Sequence, residues 1–306
     1  MNTNAAKLGA ARENRRRGRR ALIIVVILTA LFMVVEFIGG LITGSLALMA
    51  DAGHMLTDVA ALSLSLFAIW FSTRPATEKK SFGFHRTEIL AALVNGVAII
   101  VIAVMIFIEA IHRIGEPPEI RTGPMLVVAS IGLVVNLIAA WLLHRESSHS
   151  LNLKGAFLHV IGDLLGSVGA IAAAVIMMTT GFYLADPLVS FFVALLIVFS
   201  AMKLIRQSVD ILLEGVPPHL DVEEIRTALM EIKGVTAVHD LHVWTITSGF
   251  DSLTAHLIIE DGAAHQQVLE ASHEMLTTRF GLDHSTLQLE HQGLQPCGDP
   301  ARAPTD

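Results

Sequence analysis

The sequence predicts an α-helical membrane protein of six transmembrane helices followed by a small cytoplasmic α+β domain. Three observations carry that prediction. Of 306 residues, 53% are hydrophobic and only 16% charged, with a mean hydropathy of +0.62, whereas soluble domains hold about a quarter of their residues charged. Six segments each offer about 20 mostly apolar residues, the length that crosses a bilayer. Beyond Leu212–Pro218 the apolar character fades and the shorter periods of a soluble unit take over.

The six expected spans are Ala21–Leu41, Ser45–Phe71, Thr87–Ile111, Pro124–Leu143, Leu151–Thr180 and Pro187–Leu204. The first follows a basic arm, residues 1–20, with seven Lys/Arg against one acidic residue. It is too long for a signal-peptide core and no small-residue cleavage site follows it, so it reads as an uncleaved span. Basic residues recur at every second connection. Arg74, Lys79, Lys80 and Arg86 lie between spans two and three, Arg145 and Lys154 between four and five, and Lys203 and Arg206 close the sixth. The remaining loops are nearly neutral: Glu116 and Glu119 offset Arg113 and Arg121, and 181–186 has no base. The positive-inside rule then places both termini in the cytoplasm. The membrane expected to hold the chain is the cell's inner, or plasma, membrane. The spanning domain is expected over 21–210.

The second domain is expected over 211–291, with a disordered tail over 292–306. Residues 211–306 carry four Lys/Arg against fifteen Asp/Glu, as a separate soluble unit would. Asp221 with Glu224 opens an amphipathic helix to about Lys233, ended by Gly234. Val235–Thr247 and Phe250–Glu260 alternate as strands around Ser248-Gly249, a hairpin signal. A helix over Ala263–Phe280 and a strand over Ser285–Glu290 complete the order αββαβ. His239 and His242 differ by an odd number along a strand, which predicts opposite faces.

Ionisable groups deep in a span are costly and therefore functional candidates. His54 and Asp58 lie in the second span, and His159 and Asp163 in the fifth. Both pairs are His-x-x-x-Asp, a spacing that sets imidazole and carboxylate on one helix face, one turn apart. Two such faces meeting would present two nitrogens and two oxygens, a tetrahedral set of the kind Zn²⁺ accepts. One pair alone is as readily a structural hydrogen bond, and a proton relay without metal uses the same groups; duplication of order, spacing and depth favours the metal. Glu36, Glu109, Asn95 and Asn136 read as interhelical hydrogen bonders. The single Cys297 excludes an intrachain disulfide framework and a multi-cysteine metal cage.

Taken together, Asp51–Asp58, Ser81–Glu88, the His-x-x-x-Asp of the fifth span and Val238–Trp244 resemble the cation diffusion facilitator family, its zinc-transporter branch above all. The resemblance spans about 21–291. It implies a homodimer whose protomers each exchange a metal ion for protons by alternating access, and a metallochaperone-like dimerisation domain. It matches His54, Asp58, His159 and Asp163 to the transport-site ligands. It matches His239, His256, His284 and Glu290 to a cytoplasmic metal site, where zinc is a regulatory ligand. His85 matches a position that binds metal at an interface in some relatives, although Thr77, Lys80 and Phe84 stand where neighbouring ligands are expected.

The expected function is efflux of a divalent transition metal, Zn²⁺/H⁺ antiport through a His₂Asp₂ site. Zn²⁺ needs neutral His and ionised Asp, so loading metal displaces protons. The expected partners are a second copy of the chain, the bilayer, divalent metal ions and protons, and not nucleic acid. Two alternatives stand beside this. An intramembrane metallohydrolase would use the same four residues, but HExxH is absent. A transporter of the same design could carry mainly Cd²⁺, Co²⁺ or Fe²⁺. An ATP-driven pump lacks its GxxxxGK[ST] loop.

Overall fold

The structure, a computed structural model, describes residues 3–43, 46–115 and 122–291, save for the side chains of 3–12, 15, 36, 39–40, 42–43, 46–54, 115, 122 and 124–125. The expected disordered tail lies outside these residues. The chain divides into two units, Met1–Val209 and Asp210–Asp306.

Among the described residues the first unit holds six long helices: α1 (Thr3–Thr43), α2 (Leu46–Ser72), α3 (Thr87–Gly115), α4 (Thr122–His144), α5 (Leu151–Thr180) and α6 (Ala185–Leu212), the last extending three residues past the unit boundary. Each contains a stretch long and apolar enough to cross a membrane. The basic arm is not a separate segment. It is the first part of α1, because its Ala, Arg, Lys and Leu are good helix formers and nothing in it breaks the helix. Ser150 caps α5 through Leu153 N, and Gly181, at φ +69°, closes it by donating to Met177 O at 3.0 Å.

Large apolar side chains face outward along these helices. Phe199 is 80% exposed and Trp141 75%. Such surfaces are untenable in water and natural in lipid. Inside, Leu22 and Val25 of α1, Leu62 and Ile69 of α2, Leu143 of α4 and Leu153 and Val160 of α5 form one apolar cluster. Close approach needs small residues: a Cβ on Gly155 of α5 would stand 3.6 Å from the Asn95 Cβ of α3. Helices α3 and α6 meet through Phe107 and Phe191, whose ring centroids are 4.5 Å apart, and through Arg113 Nη1 and Asp186 Oδ2 at 3.2 Å.

The second unit has the expected order: α7 (Val222–Met230), β1 (Val235–Thr247), β2 (Phe250–Ile259), α8 (His265–Phe280) and β3 (His284–His291). Asp221 caps α7 by accepting from Glu223 N and Glu224 N. The Glu224 carboxylate does not reach back to complete a capping box; it takes Arg279 of α8 at 3.1 Å. α7 ends at Met230, short of Lys233, and Gly234 (φ +94°) turns the chain into β1. Gly249 (φ +74°) makes the hairpin turn. The sheet order is β1-β2-β3, with β1/β2 antiparallel and β2/β3 parallel, so α8 is the crossover between parallel neighbours. Ile225, Leu229, Val243, Leu253, Leu257 and Leu276 pack the helices onto one sheet face.

The parity expectation for His239 and His242 is corrected. His239 pairs with His256 but His242 pairs with Thr254, so Asp240 and Leu241 together oppose Ala255 alone. This bulge returns His242 to the face of His239. Asp240 makes it possible by taking φ +50°, a region its short polar side chain tolerates.

Candidate metal centres

The first cluster forms where α5 lies against α2. His159 and Asp163 share one face of α5, and Asp58 meets them from α2. His159 Nε2 is 3.1 Å from Asp58 Oδ1 and 4.0 Å from Asp163 Oδ2. One ligand atom from each of the three lies within 4.8 Å of the others. Four donors at 2.0–2.1 Å from a tetrahedral ion sit roughly 3.3 Å apart, so the set is close to coordinating distance already. Asp58 and His159 are buried, 5% and 7% exposed, while Asp163 is one-quarter exposed. His54 lies on α2 one turn before Asp58, the position that would add a fourth donor from the same face; its side chain lies outside the described residues.

The second cluster lies on the sheet face away from the apolar core of the second unit. His239 Nε2 is 3.0 Å from Glu290 Oε2, and His256 Nδ1 is 2.9 Å from Glu290 Oε1. The two imidazoles stand across the β1–β2 ladder, and Glu290 reaches them from β3, held by Gln288 Nε2 at 2.7 Å. His256 Nδ1 is buried and makes no hydrogen bond of acceptable geometry despite the nearby carboxylate oxygen. An imidazole nitrogen so placed, beside a second imidazole and a carboxylate, is a donor set that fits Zn²⁺. Burial works against ionisation of Glu290, yet hydrogen bonds from His239 and Gln288 and the charges of His256 and His239 hold its carboxyl below the usual range. A hydrogen bond from His242, 2.9 Å away, lowers Asp240 likewise.

Two of the anticipated ligands stand elsewhere. His284 begins β3, paired with Ser252 and stacked edge-on to Phe250 at 5.5 Å. Six residues of strand, about 20 Å, separate it from Glu290, so within one protomer it does not join His239 and His256. His85 is half-buried at the end of the 73–86 loop and belongs to neither cluster among the described residues. Asp240, which stands 3.7 Å from His256 Nε2, was not anticipated. Nor were Ser65, Ser72, Glu88 and Asn152, buried polar residues of which Ser65 and Ser72 follow Asp58 at seven-residue steps, Glu88 precedes Asn95 by seven and Asn152 precedes His159 by seven, a spacing that a search for heptad-spaced polar positions would have found. Asn95 does bond between helices, donating to Ser65 Oγ at 2.7 Å. Glu109 bonds within its own helix, to Arg113 at 2.9 Å.

Six apolar helices, two of which carry an imidazole–carboxylate cluster, followed by a small α+β unit bearing another, define a multi-pass membrane protein built to handle a metal cation. Residues 22–213 match the cation efflux transmembrane domain, and 217–292 match the cation efflux protein cytoplasmic domain. The chain is 44% identical over 274 residues to the zinc transporter ZitB of Escherichia coli, covering 89% of this chain and 86% of that one. It is 41% identical over 278 residues to the cadmium, cobalt and zinc/H⁺-K⁺ antiporter of Bacillus subtilis, covering 89% of each. It is 42% identical over 280 residues to the metal cation efflux system protein CzcD of Cupriavidus metallidurans, covering 91% of this chain and 87% of that one. The chain belongs to the cation efflux, or cation diffusion facilitator, family. It is a transporter and not an enzyme, and the metallohydrolase alternative falls.

Proposed function

We propose that this protein exports Zn²⁺ from the cytoplasm in exchange for protons, through a transport site made by His54, Asp58, His159 and Asp163. The observation that carries the reading is the convergence of Asp58, His159 and Asp163, from two helices, to within 4.8 Å in the membrane-spanning unit. The similarity to a zinc transporter and to a zinc/H⁺ antiporter supports both the cargo and the exchange. Names of relatives also include cadmium and cobalt, and the same nitrogen and oxygen donors accept those ions.

The chemistry follows from the donors. With no ion bound, His159 and Asp58 can take up protons at their 3.1 Å contact. A dication entering the site needs the imidazole neutral and the carboxylates ionised, so it expels those protons. On the acidic side, protons compete the ion off. Two carboxylates neutralise a dication, which makes its stay in a poorly solvated place tolerable. Both termini lie in the cytoplasm, and the second unit pairs two protomers there. His239, His256 and Glu290 hold a regulatory zinc ion in that unit, where two imidazoles and a carboxylate supply a high-affinity donor set.

The test is zinc uptake by reconstituted vesicles in which the only driving force is a pH gradient. Zinc moving against its own gradient, with matching proton counterflow, is expected. Zinc flux indifferent to the pH gradient would overturn the exchange.

A further inference from the structure

A polar stripe leads away from the Asp58–His159 cluster. On α2, Asp58, Ser65 and Ser72 follow one another at seven residues, which returns to one helix face every two turns. Glu88 and Asn95 of α3 and Asn152 and His159 of α5 repeat that spacing. The structure pairs them in layers. Asp58 meets His159 at 3.1 Å. Ser65 accepts from Asn95 Nδ2 at its hydroxyl and from Asn152 Nδ2 at its carbonyl, each at 2.7 Å. Ser72 donates to Glu88 Oε1 at 2.8 Å. Layers are about 10 Å apart. They run from the metal cluster to the end of the bundle where α2 stops and α3 and α5 begin.

Ser65, Ser72, Glu88, Asn95 and Asn152 are each at most 4% exposed. Polar groups so placed are costly within a membrane domain, and a layer serving only to glue helices would satisfy all its members. The middle layer does not. The Ser65 carbonyl fixes the orientation of the Asn152 amide, since the flipped amide would oppose two oxygens. That leaves Asn152 Oδ1 buried with no hydrogen-bond partner. An unpaired acceptor destabilises the closed layer, and entry of water relieves it.

We propose that the Ser65–Asn95–Asn152 layer is a transit station for the cation between the metal cluster and the loop end of the bundle. Bonded to one another, the three groups close the path. When α2 and α5 part at this level, Asn152 Oδ1 and the Ser65 hydroxyl accept the hydration waters of a passing dication. Uncharged oxygens suit this role, because they lower the barrier without holding the ion against the stronger cluster two turns on. The proposal rests on Asp58, His159 and Asp163 being the transport site.

The full-length chain in vesicles, with zinc alone as probe, tests it. Asn152→Leu is expected to lower zinc flux by about tenfold while leaving zinc binding at equilibrium within about twofold of the parent. Asn152→Ser, too short to reach the Ser65 carbonyl yet still offering an oxygen, is expected to recover much of the flux. Flux of Asn152→Leu close to the parent, or Asn152→Ser no better than Asn152→Leu, overturns the station. In a Cys297→Ser chain, Ser65→Cys is expected to react with a small cationic thiol reagent, and more slowly with saturating zinc; no reaction under either condition also overturns it. Asp58→Ala separates the two readings. If it abolishes flux and lowers by one the ions bound per chain while Asn152→Leu changes nothing, only the station fails. If it changes nothing itself, the transport site fails.

Discussion

His159 Nε2 stands 3.1 Å from Asp58 Oδ1 although 101 residues of chain separate them. The contact joins α2 to α5 inside the membrane-spanning unit, and Asp163 adds a second carboxylate 4.0 Å from the same nitrogen. The three groups stand within 4.8 Å of one another, close enough to share one ion, so each deletion should be felt in full.

Replacing Asp58, His159, Asp163 or His54 by Ala is expected to reduce zinc flux by at least about a hundredfold, beyond the ten- to hundredfold typical of residues that merely support a ligand. The variants should insert and remain folded. Vesicle flux with a matched expression control checks this, and near-parental rates would reject the site.

His54→Asp exchanges a borderline-soft nitrogen for a hard oxygen. The expected outcome is a shift of preference toward harder or larger ions, Mn²⁺ on the first ground or Cd²⁺ on the second, rather than a uniform loss, read from flux with competing metals. Glu36→Gln and His112→Ala, outside the donor set, should be milder.

Both termini are expected in the cytoplasm and the 181–186 connection on the opposite side. In a Cys297→Ser chain, single cysteines at Phe182 and at Lys79 should react with an impermeant reagent from opposite faces of an intact membrane. Reaction of both from the same face would refute the topology.

The fragment 216–306 should fold and dimerise alone, since its core is its own. Asp221→Ala removes a cap that bonds two backbone N–H groups, at 2.8 and 3.3 Å. It should cost the fragment about 0.5–2 kcal/mol, which for a domain of this size lowers Tm by about 4–8 °C per kcal/mol. Thermal unfolding by circular dichroism measures it.

Asp240 and Glu290 titrate below their ordinary values of 3.8 and 4.5. Near those values the unfolded chain therefore binds protons that the folded domain does not. Their contribution to stability is complete above the ordinary values and is lost as pH falls through the lowered, folded ones. Denaturant titrations of the metal-free fragment should show stability level in this respect near neutrality and falling below about pH 4.5. Glu290→Ala should flatten that fall and weaken zinc binding by the fragment, while the full chain keeps appreciable transport.

Much of this was legible in one dimension. A bilayer sets a length, and six apolar runs meet it whatever their neighbours do. The i,i+4 relation of His159 to Asp163 needs only helical geometry. The αββαβ order follows from local periods, with Gly249 marking the hairpin. What only the tertiary structure decided are relations between elements. That α5 lies against α2 so that Asp58 touches His159 depends on which faces pack. The seven-residue polar stripes were written in the sequence, but Asn152 bonds Ser65 only because the helices meet there. Strand parity failed within β1, because the bulge that returns His242 to the face of His239 shows only in the pairing of β1 with β2 and in the backbone of Asp240. His284 stands apart from His239 and His256 within one protomer for the same kind of reason: it is six residues along β3 from Glu290, and only the pairing of β3 with β2 reveals which of them reaches His256. Local periodicity fixes the face a residue occupies; what that face meets is set by packing and pairing, which no single segment encodes.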